Sequence, residues 1–584
     1  MSTQAAKEFS SYSFTPAVAS PAPTPRQKLD EAIARLREGA QAFVRLSIDG
    51  RIELARSMQQ GYLKVAERSV AAGCQAKGIA VDTPAAGEEW ALGPWMVVRH
   101  LRLIQESLHA LKSFGNTPIG KMSHTVDGSL SVHVFPGNAI DGMLFKGASV
   151  EVYLQASVTG EELDHSRARF YKHPDHDGRV VLVLGAGNVA AIPSVDVITK
   201  MFNEGKVCLL KMNPVNAYLG PFIEEAFHKA IAKNFLAVVY GGPEEGRYLA
   251  YHDGIDEIHM TGSDKTHDNL VWGPPGPERE AHMARNEPLL RKVITSELGN
   301  ISPVIIVPGP YSEKELSYQA EDCTSYVTMN ASFLCNSAKM LVTPKGWDGR
   351  SAFFRDIEAT LAQVPIRKAY YPGAADRWMA LTEDRSNAIK LGEAREGTLP
   401  WTVIPDLDPA TADEPLFNTE PFCSILSETS VGNSDPIEFL DQAVDFVNER
   451  LWGTLSATLV VHPKSMKDPP VAKAVERAIT RLRYGTVAVN AFHGLPFGFG
   501  QPPWGAYPGS TLKDIQSGRG WVHNTAMLEG IEKVVFRHPL TTFPKPVYFP
   551  SHRTAHKMMQ KLTAMEEHAS WTKVPAVVFA AMQG

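Results

Sequence analysis

Polar and apolar positions divide the chain into three regimes. Between Ser10 and Pro25 the residues Ser, Pro, Ala and Thr follow one another without apolar periodicity, which predicts a flexible arm over residues 1–25. From Arg26 to about Ala80, Leu29, Ile33, Leu36, Phe43, Leu46, Ile52, Leu54, Met58, Leu63 and Val65 recur at helical spacing. Two helices interrupted near Asp49 and Gly50 are expected there, and a third over Ala91 to Lys112. Between Ser129 and Arg169 the alternation of Val132, Val134, Val150, Val152 and Leu154 predicts long strands rather than helices.

From Arg179 onward the pattern becomes strand then helix, repeatedly. Val180 to Leu184 is a continuous apolar run, as expected of a strand buried on both faces. A helix over about Ser194 to Asn203 follows, then strand Val207 to Leu210, helix Gly220 to Ala232, and strands Ala237 to Tyr240 and Glu257 to Met260. This alternation predicts an open α/β sheet with helices on both faces. A second α/β region begins near Pro303 to Val307 and runs to about Gly500. Glycine and proline crowd Leu495 to Gly509, and the last residues mix strand-like and helical segments.

Composition narrows the function classes. The 584 residues are 44% hydrophobic and 21% charged, inside the globular range, and the length suggests roughly three to four units. Lys plus Arg number 58 against 64 Asp plus Glu, a formal charge of -6, so no basic excess exists to neutralise nucleic acid. The five cysteines form no CxxC pair, which argues against a zinc site or a disulfide framework and for a reducing, cytoplasmic setting. No apolar run reaches ~18 residues, so no membrane span is expected. Met1 to Ser10 lacks the apolar core of a secretory signal.

Gly185-Ala186-Gly187-Asn188-Val189-Ala190 follows a strand and precedes a helix, the setting of a dinucleotide-binding fingerprint. An ordinary Rossmann unit ends its second strand in Asp or Glu to hold the ribose. Here that strand runs into Lys211, Met212, Asn213 and Pro214. The glycine pattern is therefore not read in the ordinary way.

The same segments read together give another pattern. Asn188 follows one apolar strand, Lys211 ends the next, and Thr261-Gly262-Ser263 follows a third. Glu297-Leu298-Gly299-Asn300 comes next, then Asn330 five residues before Cys335, Glu420-Pro421-Phe422, and Asn490 ahead of Pro496-Phe497-Gly498. In order and spacing the chain resembles the aldehyde dehydrogenase superfamily over about residues 180–500. The resemblance implies a Rossmann-type NAD(P)-binding domain over about residues 26–300, with an α/β catalytic domain over 301–500. An oligomerisation arm is implied as well, built from the strands at about 129–178 and a bridging segment at 501–584. It also implies a homodimer or homotetramer, in which a second subunit covers exposed strand edges.

Each matched residue then has an implied role. Cys335 matches the nucleophile; thiolate suits this because it adds to a carbonyl and yields a thioester that water can cleave. A lone cysteine is more often a buried structural residue, and the Asn330 spacing with Glu297 upstream sets Cys335 apart from Cys323. The side-chain amide of Asn188 and the backbone N–H of Cys335 match the oxyanion hole. Glu297 matches the base that activates water, a task served by a carboxyl whose pKa is raised in an apolar pocket. Lys211 would lie against the adenine ribose or a 2′-phosphate, and Gly262 and Ser263 near the pyrophosphate. Glu420 and Phe422 match positions that hold the nicotinamide ribose and pack near the ring. Phe333, Phe492 and Phe497 would suit a pocket for an apolar aldehyde. No metal is implied.

The chain departs from the family at several points. Gly-Gln shortly before the nucleophile is replaced by Ser332-Phe333, and the usual Glu three residues after the cofactor lysine by Pro214. Loss of that acid removes both a ribose acceptor and a repulsion against a 2′-phosphate, so NAD and NADP both remain admissible. Asp264 follows Ser263, and Gly498 to Trp504, after Phe497, is longer and more aromatic than the usual Gly-Gly-x-Lys. Three readings follow. The first is hydrolytic oxidation of an aldehyde to an acid with NAD(P). The second is transfer of the acyl group to coenzyme A, or the reverse acyl-CoA reduction, and the third a non-catalytic nucleotide-binding member. Glu297 favours the first, and the joint presence of Asn188, Glu297 and Cys335 disfavours the third.

Overall fold

The computed structural model describes residues 18–173 and 175–584. Most of the arm expected over residues 1–25 lies outside the described residues. Within them, Thr24 is pinned to the body: its N–H donates to Tyr240 O at 3.0 Å and its hydroxyl accepts from Tyr240 N at 2.9 Å.

The strands fall into two main sheets. First in the chain come β1 (Met122–His124), β2 (Leu130–Phe135) and β3 (Ser149–Leu154). Five strands alternate with helices after them: β4 (Val180–Leu184), β5 (Val207–Lys211), β6 (Leu236–Val239), β7 (Glu257–Thr261) and β8 (Val293–Glu297). Then follow β9 (Ser302–Ile306), β10 (Ala338–Pro344), β11 (Ile389–Leu391), β12 (Trp401–Leu407), β13 (Ile425–Val431), β14 (Ser456–Val460) and β15 (Thr486–Val489). The last four are β16 (Pro503–Gly505), β17 (Gly518–Arg519), β18 (Trp521–His523) and β19 (Ile531–Arg537).

The first sheet has the order β17-β8-β7-β4-β5-β6, parallel from β8 to β6. From β4 the chain moves outward through β5 and β6, then returns to β7 on the other side of β4. A crevice therefore opens between β4 and β7 at their carboxyl ends, where open α/β sheets bind ligands. The second sheet has eleven strands in the order β1-β2-β3-β19-β15-β14-β9-β10-β13-β12-β11. The chain crosses from one sheet to the other between Glu297 and Ser302. The carboxyl end of the first sheet thus faces the amino end of the second.

The arm strands pair within their own chain. Strand β3 lies antiparallel to β19, with Val150 opposite Phe536 and Val152 opposite Val534, and β19 runs parallel to β15. An unpaired strand edge is an aggregation hazard. Here the β15 edge is covered from within, so this edge makes no demand on a second subunit.

Caps and kinks account for the local differences from the sequence pattern. The first helix break falls at residues 45–47 rather than at Asp49 and Gly50, because Ser47 Oγ accepts from Gly50 N and starts helix Ile48–Lys77. The third helix begins at Met96, after a π-turn over Ala91–Trp95 in which Gly93 takes φ -132°, ψ -107° ahead of Pro94. The stretch between Ser129 and Arg169 is not all strand. Asn138 and Thr159 accept from Asp141 N and Glu162 N and cap short helices Ala139–Leu144 and Gly160–Ser166. Cap chemistry decides these segments, and periodicity does not report it.

The C-terminal helix Ala555–Glu567 packs on the N-terminal helices through a buried charge cluster. The Arg99 guanidinium donates to Glu566 at 2.7 Å, to Asp141 at 2.9 and 3.1 Å and to Gln501 at 3.1 Å, while Arg102 Nε donates to Glu566 at 2.8 Å. These attractions outweigh burial and push the Arg99 pKa up from its ordinary value. Glu566→Ala would leave Arg99 paired with Asp141 alone and Arg102 with Glu106 alone, and is expected to cost about 3 kcal/mol, the low end for breaking a buried pair. An unfolding midpoint equal to that of the parent would show that the tail is not held this way. Among the described residues no helix is long and apolar enough to cross a membrane.

Candidate active site

Glu297 is the last residue of β8 and is 3% exposed. It reaches the sulfur of Cys335, whose Sγ–H donates to Glu297 Oε1 at 3.2 Å. Of the five cysteines Cys335 alone is not fully buried; Cys74, Cys208, Cys323 and Cys423 are core residues. Asn188 stands in the loop after β4, and its Nδ2 donates to Phe333 O at 2.9 Å. An amide nitrogen carries two N–H bonds, so one remains for a ligand. Among the described residues the Cys335 backbone N–H makes no hydrogen bond. Both matched oxyanion donors thus have an N–H free to donate to a ligand.

The loop before the nucleophile is unusual. Asn330, Ala331 and Ser332 have φ of 52°, 54° and 69°, three successive left-handed residues. Asn tolerates that region, whereas Ala and Ser adopt it only when their surroundings over-determine it. Ser332, one of the residues at which the sequence departs from the pattern it resembles, occupies such a position. The turn is gripped from several sides. Asn330 Nδ2 donates to Asn188 O at 2.9 Å and Phe333 O at 3.1 Å, and Lys339 Nζ donates to Leu334 O at 2.7 Å. The Tyr370 hydroxyl lies 3.0 Å from Asn188 O and 3.1 Å from Asn330 Oδ1.

Burial pushes the Glu297 carboxyl up to about 7, and the buried Asp196 carboxylate adds to the shift; the Trp504 indole and the Cys335 thiol oppose it. Asp196 accepts from Thr261 Oγ1 at 2.9 Å, and Thr261 is the register partner of Glu297. Glu297 Oε2 and Trp504 Nε1 are both buried without a full hydrogen bond. The indole therefore faces the carboxyl without closing on it. Burial, and then the charge of Glu297, push the Cys335 thiol well above its ordinary value.

The residues matched to the cofactor lie at the carboxyl ends of the first sheet or face them. Lys211 ends β5, is 7% exposed, and its ammonium has no hydrogen-bond partner among the described residues. Burial pushes it down to about 8, with Glu245 acting the other way. Gly262 and Ser263 follow β7, and Ser263 caps helix Asp264–Val271. Glu420 lies against Gly299, where a Cβ would come within 2.0 Å of its Oε2, and pairs with Lys339 at 3.1 Å. Phe422 has φ 44°, and its carbonyl accepts from Arg377 at 3.1 Å. An unpaired buried ammonium beside the crevice suits an anionic ligand, and the exposed Gly262 backbone lets one approach closely.

The three aromatics assigned to a substrate pocket enter separate clusters. Phe333 packs with Tyr370, Tyr371 and Phe422, Phe492 stacks on Tyr326 at 4.8 Å, and Phe497 meets His523 at 4.3 Å and Trp504 at 5.5 Å. Sequence reasoning missed Asp196, Lys339 and Tyr370. Lys339 had a signal, a lysine four residues after Cys335 at the head of an apolar strand. An open cavity of about 660 Å³, lined by Tyr311, Trp347, Ser434 and Lys464, lies at the carboxyl ends of β9, β10, β13 and β14. That is the far end of the second sheet from Cys335, and it has no part in this site. Among the described residues no cluster of metal-ligating side chains occurs.

About nine-tenths of the chain superposes on solved structures of aldehyde dehydrogenases. The NADP-dependent glyceraldehyde-3-phosphate dehydrogenase from Bacillus halodurans, complexed with NADP, matches with a TM-score of 0.58 and 17% identity over 90% of this chain and 95% of that one. The NAD-dependent aldehyde dehydrogenase from Sinorhizobium meliloti matches with 0.58 and 18% identity over 91% of each. The chain has the aldehyde dehydrogenase fold. In sequence it is 26% identical over 176 residues to the N-succinylglutamate 5-semialdehyde dehydrogenase of Novosphingobium aromaticivorans, a match spanning 29% of this chain and a third of that relative. No family model matches the chain. Within this aldehyde dehydrogenase fold, Glu297 from the first sheet meets Asn188 and Cys335 where the two sheets face each other.

Proposed function

We propose that the protein oxidises an aldehyde to a carboxylic acid with NAD or NADP, by way of a thioester on Cys335. The observation that carries this reading is the Glu297 carboxyl, poised at about 7 and 3.2 Å from the only cysteine that is not core. As Cys335 Sγ bonds to the aldehyde carbon, its proton passes to Glu297. The carbonyl oxygen becomes an oxyanion and accepts from the free Asn188 amide N–H and the Cys335 backbone N–H. Loss of hydride from the adduct leaves a thioester on Cys335. Glu297 gives up the thiol proton to bulk water and, as a carboxylate again, takes a proton from the water whose oxygen attacks the thioester carbon. The C–S bond breaks, the acid leaves, and the sulfur takes that proton back as thiol, so one proton is released per turnover.

Bound NAD(P)+ supplies the hydride acceptor. Lys211, Gly262, Ser263, Glu420 and Phe422 are the residues that would hold it. Pro214 brings no negative charge beside Lys211, so a 2′-phosphate is accepted there. Lys211→Ala is expected to weaken NADP by on the order of tenfold to a hundredfold, the worth of a charge-assisted hydrogen bond, and NAD much less. In the parent, NADP affinity should fall as pH rises past about 8, because Lys211 loses its proton there. Equal losses for the two cofactors would place Lys211 against what both share. All five thiols are free, which suits a reducing compartment, and we assign the protein to the cytoplasm.

An aldehyde panel crossed with NAD, NADP and coenzyme A tests the function. Acid and NAD(P)H at equal rates with and without coenzyme A support it. Strict dependence on coenzyme A moves the chain to the acylating class, and no NAD(P)H from any aldehyde leaves a binding protein.

A further inference from the structure

Beneath the strained turn lies a charged group that the mechanism does not use. Lys77, the last residue of helix Ile48–Lys77, is 6% exposed. Its ammonium donates to Asn330 Oδ1 at 2.9 Å and to Glu89 Oε1 at 2.7 Å, and lies 5.1 Å from the centre of the Tyr370 ring. The room for Glu89 is made by Gly73, where a Cβ would come within 2.4 Å of Glu89 Oε2. The neighbouring Glu88 accepts from the Asn330 backbone N–H at 3.1 Å and is itself paired with Arg367 at 3.2 Å. One asparagine is thus fixed at its backbone by Glu88 and at its side-chain oxygen by Lys77. Its remaining group, Nδ2, spans Asn188 O and Phe333 O, the carbonyls that set Asn188 and the approach to Cys335.

We infer that Lys77 is a positioning residue: through Asn330 it holds the nucleophile loop so that the Asn188 amide and the Cys335 N–H converge on one oxyanion. The inference rests on the proposed role of those two donors. The Tyr370 hydroxyl, a neutral donor, also lies 3.1 Å from Asn330 Oδ1. A charge orients the amide more strongly, because hydrogen bonds to ionised groups are roughly twice as strong as neutral ones, and polarisation passes along a buried chain. The left-handed turn needs this hold, since two of its three residues gain nothing locally from that conformation.

Two chemistries at the same sulfur separate positioning from general loosening. Acylation of Cys335 by p-nitrophenyl acetate passes through a tetrahedral oxyanion and needs neither aldehyde nor NAD(P). Alkylation by iodoacetamide is a direct displacement of iodide and develops no oxyanion. The variant to use is Lys77→Met with Glu89→Gln, which leaves no unpaired charge in the core. It is expected to acylate on the order of 10–100 times more slowly, less than the 10²–10³ found when an oxyanion donor is itself removed. Its alkylation should stay within about twofold of the parent and its aldehyde KM unchanged. Adding Asn330→Ala should cost little beyond Asn330→Ala alone, because both act along one path. Parallel losses in alkylation and acylation, or fully additive effects of the two sites, would overturn the inference. A parent enzyme that alkylates but never acylates would instead overturn the oxyanion-hole reading on which it rests.

Discussion

Cys335→Ala is expected to abolish NAD(P)H formation from the first turnover, a loss on the order of 10⁴-fold or more, as for enzymes stripped of a covalent nucleophile. The size of the effect follows from what no neighbour can replace. Serine and threonine hydroxyls near the site, such as Ser332 and Ser337, are fully buried in the loop. Glu297 could activate water to attack the aldehyde directly, giving a hydrate, but the fixed sulfur and its oxyanion donors would no longer act on one carbon. Cofactor affinity should be unchanged, because none of the residues matched to it is altered. Cys323→Ala is the control: that thiol is fully buried in helix Glu313–Thr328 and should be dispensable for turnover. Rapid mixing with intact-mass detection reads the result. A covalent acyl adduct in the Cys335→Ala protein would mean that another side chain is the nucleophile.

The parts of this site that were legible in the sequence are those set by short-range pattern. Asn188 was found because it follows the apolar run Val180 to Leu184, and Cys335 because Asn330 precedes it by five residues. Strands β4, β5 and β9 were legible for the same reason: residues buried on both faces of a parallel sheet read as apolar runs. What escaped depends on partners far along the chain. Lys77 and Asn330 are 253 residues apart, and nothing near Lys77 marks it as buried rather than solvated at a helix end. The pairing of Val150 with Phe536 inside one chain was equally invisible, since a strand's pattern shows which face is buried but not which edge it meets. Phe333, Phe492 and Phe497 show the same limit from the other side. Each of these rings packs in a different aromatic cluster, and which neighbours a ring meets is set by contacts far along the chain that the sequence does not display.

Glu297→Gln should divide the reaction in two. The amide keeps the shape of the side chain and cannot take a proton, so hydrolysis of the thioester loses its base while the sulfur remains. The steady rate is expected to fall by on the order of 10²–10⁴, the range for general-base catalysis. The first turnover should suffer less. In the parent, Glu297 also receives the Cys335 proton across 3.2 Å, so its loss slows acylation, but it also removes a negative charge that holds the thiol up, so the sulfur ionises more readily in the variant. About one NAD(P)H per site should therefore appear, followed by a stall with the acyl group on Cys335. The parent's pH profile carries the same assignment. Glu297 is raised to about 7, and the working form is the carboxylate, so deacylation should rise with pH through about 7 and level off above it. At pH 6 only about a tenth of sites would hold the base. The sign for stability is opposite: a carboxyl whose folded pKa exceeds its unfolded value of 4.5 makes the fold lose stability between about pH 4.5 and 7, and the loss is complete above that. Asp196→Asn removes the neighbouring negative charge and should move the limb to lower pH, whereas Trp504→Phe removes the opposing indole N–H and should move it higher. A steady rate for Glu297→Gln equal to the parent's, with the limb near 7 retained, would assign the base to another group and favour transfer of the acyl group to coenzyme A.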